Sequence, residues 1–404
     1  MSYIILFFWL TRVLTISIDN GILRLGIPVF MLSLLFIFLM INKRALPAFF
    51  NSGYSKSYFA IFLIALISSV VAYINNMPII YSLVELMKLL LMGGFFFLGF
   101  VLCLFGKRAV ALGSLSVVIF IHITCGIVGY FLGFGAIVED VLRPTGITGR
   151  VNILANIALF SCVFYGVRFF LEQRHRWFFF YLSASSFLLI VLSGTLKNLI
   201  SLLGVAVIYV FLSSKQKLLT LSLLFVLGIP ILYTVIFYTP IGERLIETLT
   251  AGVNIEVQEG EKLESSLQWR VLHWKLLFDD WYSRFFFQGA GYGQEVNMNG
   301  LKLSTGVGYS AHSDWLKYWV ELGPVLFVLF VFSHYKLVKP LYIASLDGKP
   351  LETSVFYSFI ALVIAMLAGP VYFTVCFFYF FWLVLGIIAG DKYFALSRAS
   401  NRQS

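Results

Sequence analysis

Charge is the scarcest property of this sequence. Asp, Glu, Lys and Arg make up 12% of its 404 residues, about half the share of roughly 25% in an average soluble domain. Hydrophobic residues make up 60%, and mean hydropathy is +0.93. A water-soluble fold has no interior large enough for that much apolar surface, so lipid is the solvent for most of the chain. Cysteine is sparse too. Cys103, Cys125, Cys162 and Cys376 all fall inside apolar runs and form no CxxC pair, which argues against a disulfide framework or a thiolate metal site. The five histidines are scattered without ligand spacing, so neither a metal nor a haem centre is indicated. No P-loop is present, which disfavours an ATP-driven pump. No internal repeat is visible, which weakens an inverted-repeat transporter. The net charge of +10 does not point to nucleic acid, because no basic tract with interleaved aromatics stands in a soluble segment. The first residues, "MSYIILFFWLTR", lack a basic n-region and a cleavage site and read as a retained first helix.

Long apolar runs are what the sequence has in abundance. Runs near the roughly 20 residues needed to span a bilayer begin near Tyr3, Arg24, Ser57, Tyr81, Ala109, Val151, Trp177, Leu196 and Leu218, then near Trp315, Thr353 and Thr374. They predict an all-α integral membrane protein of about twelve transmembrane helices. The stretch 177–212 has two readings, because "SGTLKN" (Ser193 to Asn198) is either a tight loop or a break within one region. Basic residues then recur on alternate loops: "NKR" at Asn42 with Lys56, "GKR" at Gly106, "EQRHR" at Glu172, "SSKQK" at Ser213, "HYKLVK" at His334, and Lys392, Arg398 and Arg402. The loops between them, such as "DNG", "NNMP" and "AGP", are sparsely basic. The positive-inside rule places both termini in the cytoplasm and the other face outside it, in the periplasm of a Gram-negative cell. The expected layout is helices one to nine over 1–238, an extracytoplasmic segment over 239–314, and helices ten to twelve with a cytoplasmic tail over 315–404. Within the segment, "LQWRVLHWKLLFDDW" puts Leu267, Val271, Trp274, Leu277 and Trp281 at helical spacing. Such a helix either lies in the membrane interface or packs over the mouth of the bundle.

This orientation makes certain residues unusual. Arg143 and Arg150 in "VEDVLRPTGITGRVNILAN", Lys197 in "SGTLKN", and Arg244 and Arg270 in the large segment are cations on the face where the rule disfavours them. Each alone has an ordinary explanation in snorkelling, a lipid head group or a local ion pair. As a set sharing one face with a histidine, they suit capture of phosphate oxygens. His312, in "SAHSDWLKYW", is the acid–base candidate. Asp314 or Ser313 is placed to cap the helix that follows, and a helix N-terminus lowers the pKa of a nearby histidine. Trp315, Tyr318 and Trp319 read as aromatic-belt residues, Gly323-Pro324 as a kink, and Glu321 as a carboxylate needing a polar partner inside the bundle. Glu85 and Lys88 neutralise each other at i,i+3. His122 reads as a hydrogen-bonded core histidine. The adjacent acids Asp279-Asp280 are weak evidence of a metal-dependent glycosyltransferase.

Five motifs fall in order: "RPTGITGRVNILAN", "LSGTLKNLISLL", "RVLHW", "GAGYG" (Gly289 to Gly293) and "HSDWLKYWVELG". Together with the expected layout they resemble the O-antigen polymerase/ligase superfamily of bacterial surface-polysaccharide enzymes, over about the C-terminal two-thirds of the chain. The resemblance implies a glycan donor carried on undecaprenyl diphosphate. It further implies transfer at the periplasmic side of the inner membrane, with no nucleotide sugar, required metal or other cofactor. It implies that His312 activates the acceptor hydroxyl and that Arg143, Arg150 and Arg270 lie near the donor diphosphate. Lys197 stands where many relatives carry arginine, and keeps the charge without the bidentate fork; Arg244 is a looser match.

The chemistry suits the residues independently. A lipid diphosphate leaves readily, so the reaction needs cations for its growing charge and one base for the incoming hydroxyl. The expected function is an O-antigen polymerase, with the O-antigen ligase, whose acceptor is lipid A–core, as its near alternative. A lipid-linked glycan flippase or other transporter is the third reading, and would want mid-membrane coupling carboxylates, for which Glu85 is the obvious candidate. Expected partners are lipid-linked oligosaccharides and membrane lipid, and beyond these a chain-length regulator and a flippase.

Overall fold

The computed structural model describes residues 37, 40–138, 141–213, 266–302, 308–372 and 375–400. The expected spans near Tyr3, Arg24 and Leu218, and the candidate Arg244, lie outside these residues. Every other expected start falls within four residues of an observed helix start. After a short α1 (Leu46–Asn51) come α2 (Gly53–Ile74), α3 (Ile79–Leu104) and α4 (Arg108–Phe131). Next are α5 (Val151–Leu171), α6 (Arg176–Ser193) and α7 (Leu196–Ser213). Beyond the central gap lie α8 (Ser266–Asp280), α9 (Asp314–Leu346), α10 (Pro350–Ala365) and α11 (Val375–Ser400). Six of these, α2 to α6 and α9, are long and apolar enough to cross a membrane, and Leu196–Leu212 and Pro350–Ala365 are shorter apolar helices.

The helices form where the apolar runs are, and they meet through small residues. At the α3–α11 seam, a Cβ on Gly386 would sit 2.9 Å from the Phe100 nitrogen, and one on Gly99 would sit 3.1 Å from the Leu383 carbonyl carbon. Lipid gives no hydrophobic drive for helices to associate, so close backbone approach at such glycines replaces it with van der Waals contact. Phe96, Phe100, Phe381 and Trp382 fill the space on either side. "SGTLKN" is a tight loop: Gly194 at φ 65 ends α6, and the Ser193 and Thr195 hydroxyls hydrogen-bond at 2.7 Å before α7 begins.

The described residues form a helical fold, as the sequence predicts, with one small addition: β1 (Ala136–Val138) and β2 (Val141–Arg143) form an antiparallel hairpin with Ala136 opposite Arg143. Two expectations need correction. "HYKLVK" is not a loop. His334 is buried within α9, with its Nε2 3.0 Å from the Tyr372 hydroxyl and its Nδ1 2.8 Å from the Phe330 carbonyl. The turn that follows is at Asp347 to Lys349. His122 is fully buried in α4, but neither ring nitrogen has a hydrogen-bond partner among the described residues.

The largest departure concerns α9. Its 33 residues exceed what a bilayer requires, and Gly323 (φ 67, ψ 169) leaves helical geometry inside it. Trp315 and Phe327 stand twelve residues apart, as do Tyr318 and Phe330. On a straight helix that separation is about 18 Å, yet the ring centroids are 5.9 Å and 4.8 Å apart. The arm 314–322 is therefore folded back against the arm 324–346, and only the second arm runs on toward α10.

That fold-back frees backbone carbonyls, and "GAGYG" satisfies them. Pro324 has no N–H for the Val320 carbonyl, so Ala290 donates its own at 2.9 Å. The Glu321 carbonyl accepts from the Gly291 N–H at 2.9 Å and the Ser68 hydroxyl at 3.1 Å. Gly289 (φ 77) and Gly291 (φ 106) cannot readily be other residues: a Cβ on Gly289 would lie 2.6 Å from the Leu322 carbonyl carbon, and one on Gly291 2.5 Å from the Ala72 Cα. Irregular backbone inside an apolar helix is tolerated where freed groups find protein partners, as the Val320 and Glu321 carbonyls do here.

α8 packs over the folded-back arm. Its inner face buries His273, Leu277 and Asp280, which continue into Trp281, Val320 and Trp319. Asp280 is bonded to the Arg284 guanidinium and accepts from the Asn299 backbone at 3.0 Å, so it holds this turn together instead of standing ready for a ligand. Asp279 is exposed.

Candidate active site

One short turn gathers the site. After α10 the chain passes through Met366 to Tyr372, containing the "AGP" that the sequence marks only as a weakly basic loop. The Met366 carbonyl accepts the Asp314 N–H at 3.0 Å, and the Asp314 carboxylate accepts from the Val371 and Tyr372 N–H groups at 2.5 Å and 2.7 Å. Arg270, on α8, reaches the Ala368 carbonyl at 3.5 Å. Lys197, in the first turn of α7, lies against Gly369, where a Cβ would come within 2.8 Å of its Cδ. Three elements distant in sequence thus deliver Arg270, Lys197 and the start of α9 to one place.

His312 stands at this junction. Its φ of 50° is in the left-handed region, where histidine is uncommon and the backbone persists only if its neighbours determine it. Ser313 is the cap of α9, accepting the Leu316 N–H at 3.4 Å, and Asp314 is instead spent on the 371–372 backbone. Trp269 meets the His312 ring edge-to-face at 5.3 Å and stacks on His273 at 5.0 Å. His273 accepts the Leu301 N–H on Nδ1 at 3.0 Å, which leaves its neutral-form proton on Nε2.

Burial, followed by the nearby charges of Arg270, Lys197 and His273, pushes the His312 pKa down to about 4. Its imidazole is therefore neutral at ordinary pH and has a free lone pair for a proton. The sign also bears on stability. A histidine whose pKa is lower folded than unfolded contributes fully above the unfolded value near 6.5, and that contribution is lost as pH falls toward 4.

Beside the site lies a buried ionic layer, to which the structure adds Lys317 and Glu295. Lys317, only 8% exposed, has Glu295 at 3.3 Å, Glu321 at 3.9 Å and Glu85 at 4.0 Å. Glu85 and Lys88 also pair, as their spacing predicts. Glu321 finds its polar partners in Lys317 and the Glu295 N–H at 3.1 Å. Glu295 gave no sequence signal: it is one acid in a glycine-rich loop, and its partners lie 15 to 26 residues on.

Of the expected site residues, the structure brings together His312, Lys197, Arg270 and Asp314, with Glu321 in the adjoining layer. Arg143 is buried on β2, and Arg150 is exposed at the cap position before α5. Arg150 follows a turn in which the Thr148 hydroxyl lies 2.7 Å from the Thr145 carbonyl and 3.0 Å from the Arg150 carbonyl. The cations felt at His312 are Arg270 and Lys197.

A multi-pass membrane protein of apolar helices, with Arg270 and Lys197 gathered beside a neutral histidine, is the class these features define. Residues 179–331 match the family model described as O-antigen ligase, consistent with the O-antigen polymerase/ligase superfamily. The match holds Lys197, Arg270, Glu295 and His312, and ends past the fold-back; Arg143, Arg150 and the 366–372 turn lie outside it. The family's members are glycosyltransferase-like enzymes. No curated protein matches the chain.

Proposed function

We propose that this protein is an O-antigen polymerase that moves a glycan from undecaprenyl diphosphate to a sugar hydroxyl of a new lipid-linked repeat unit. The observation that carries the reading is the convergence of Arg270 and Lys197 on the 368–369 turn beside a neutral His312. The acceptor oxygen attacks the anomeric carbon of the donor, and the bond from that carbon to the diphosphate oxygen breaks. The electron pair leaves with the lipid diphosphate, where Arg270 and Lys197 stabilise it, and the acceptor proton passes to His312. An apolar cavity of about 480 Å³ supports a donor with a long lipid tail. It lies between the 324–346 arm and α10, is lined by Trp315, Tyr318, Phe330, His334, Phe359 and Tyr372, and begins three residues after His312. On this reading the site faces the periplasm, the protein spans the inner membrane about twelve times with both termini cytoplasmic, and Arg143, Arg150 and Arg244 add to the binding of the donor diphosphate.

The ligase is the second reading, favoured by the family description. The lipopolysaccharide of a deletion strain separates the two. A polymerase deletion leaves core capped by a single repeat unit. Core without O-antigen, with long chains still on the carrier lipid, identifies a ligase, and accumulation of cytoplasm-facing single units identifies a flippase.

The donor also sets the pH response. Arg270 and Lys197 help to hold the His312 pKa near 4 in the free protein, and a bound diphosphate offsets their charge. The acid limb of kcat/KM, which reports the free protein, should lie near 4. The acid limb of kcat, which reports the loaded protein, should lie higher. Coincident limbs near 6.5 would contradict this account.

A further inference from the structure

We propose that Glu295 is a positioning residue for His312, acting through the backbone that precedes it. The proposal rests on His312 as the base and asks what holds it in an unusual conformation. Oε2 of Glu295 accepts the Ala311 N–H at 3.1 Å, and Oε1 accepts the Ser310 hydroxyl at 3.2 Å. The carboxylate is itself held by Lys317, one turn into α9, at 3.3 Å. Its backbone N–H is bonded to Oε1 of Glu321, two turns into the same arm. Glu295 therefore ties the segment before His312 to the helix after it.

The rest of the frame makes that tie decisive. The Ala311 carbonyl accepts the Trp274 indole N–H, and the Asp314 N–H is bonded to Met366. His312 thus spans two anchored points, and its φ of 50° is what closes the gap. With Ser310 and Ala311 released, the backbone has no reason to stay in the left-handed region, and relaxation to negative φ swings the imidazole away from Lys197 and Arg270. Only a carboxylate meets all the demands at this place: it accepts on both oxygens, and it neutralises a lysine that is 8% exposed.

The test compares Glu295→Gln, Glu295→Asp, Ser310→Ala and His312→Asn in purified full-length protein. Glutamine keeps the size but presents a donor on one side, so kcat should fall by about 10- to 100-fold with donor KM within about twofold, the signature of a misplaced group. Aspartate should restore part of kcat, and Ser310→Ala, which removes one hydroxyl, should lose less. Amide exchange over residues 308–313 should quicken in Glu295→Gln while α2 to α7 stay protected. A kcat near wild type in Glu295→Gln, or equal losses in kcat and donor affinity, overturns the proposal. If that variant does not fold, an unchanged kcat in Ser310→Ala overturns it instead. Should His312→Asn transfer glycan normally, the base assignment fails first, a result distinct from failure at Glu295.

Discussion

His312→Ala should lose transfer by about 10²- to 10⁴-fold, the contribution of a positioned general base, while the protein still inserts and keeps its helical content. The state of the ring sets this loss. Its depressed pKa leaves it neutral, and it stands between the two cations and the start of α9. Alanine carries a complication, because position 312 has φ 50°, and residues other than Gly, Asn, Asp and His strain there. His312→Asn is the cleaner variant. It tolerates the same backbone and has no basic lone pair, so a full loss in Asn isolates the proton-accepting role from the conformational one. Near-normal chain formation in both would remove the base from the mechanism.

Arg270→Ala should lower donor-dependent turnover by about 10²- to 10³-fold, the range for removing one stabilising donor from a water-poor site. Arg270 and Lys197 are held on adjacent residues of a single turn, and a diphosphate leaving group spreads charge over several oxygens that one lysine cannot cover. Arg270→Lys should fall between, because it keeps the charge without the planar fork. The loss should fall on the donor and leave acceptor saturation little changed. His312 should also titrate higher in Arg270→Ala, since one of the charges lowering its pKa is gone. Unchanged donor saturation would take Arg270 out of the diphosphate site. Arg143→Ala is the comparison: Arg143 is buried on the β1–β2 hairpin and is not among the charges felt at His312, so its effect should be smaller than that of Arg270.

The helices were legible because a bilayer demands long apolar runs, and such runs leave little choice of boundary; Val151 and Leu196 begin their helices where the sequence reading placed them. His312, Lys197 and Arg270 stand out in the sequence as a histidine and cations where the charge rule disfavours them, and the structure brings them to one turn. The turn at 366–372 was not, because its work is done by backbone groups of Met366, Ala368, Val371 and Tyr372, whose side chains carry no signal. In the sequence, Gly323-Pro324 signals only a kink. Only the pairing of Trp315 with Phe327 and Tyr318 with Phe330 reveals how far it bends. "HYKLVK" misled for the opposite reason: the charge rule expects loops where basic residues cluster, yet Lys336 lies over the Phe332 ring along the helix.

The central claim is transfer of a glycan from a lipid diphosphate onto another lipid-linked unit, driven by His312. Its most direct test is the purified protein in liposomes, supplied with undecaprenyl-diphosphate-linked repeat units and no lipid A–core, with products sized on a gel. The account predicts a ladder of lengthening chains with wild-type protein and single units alone with His312→Asn. Single units with the wild type, turning into product only when lipid A–core is added, would contradict it.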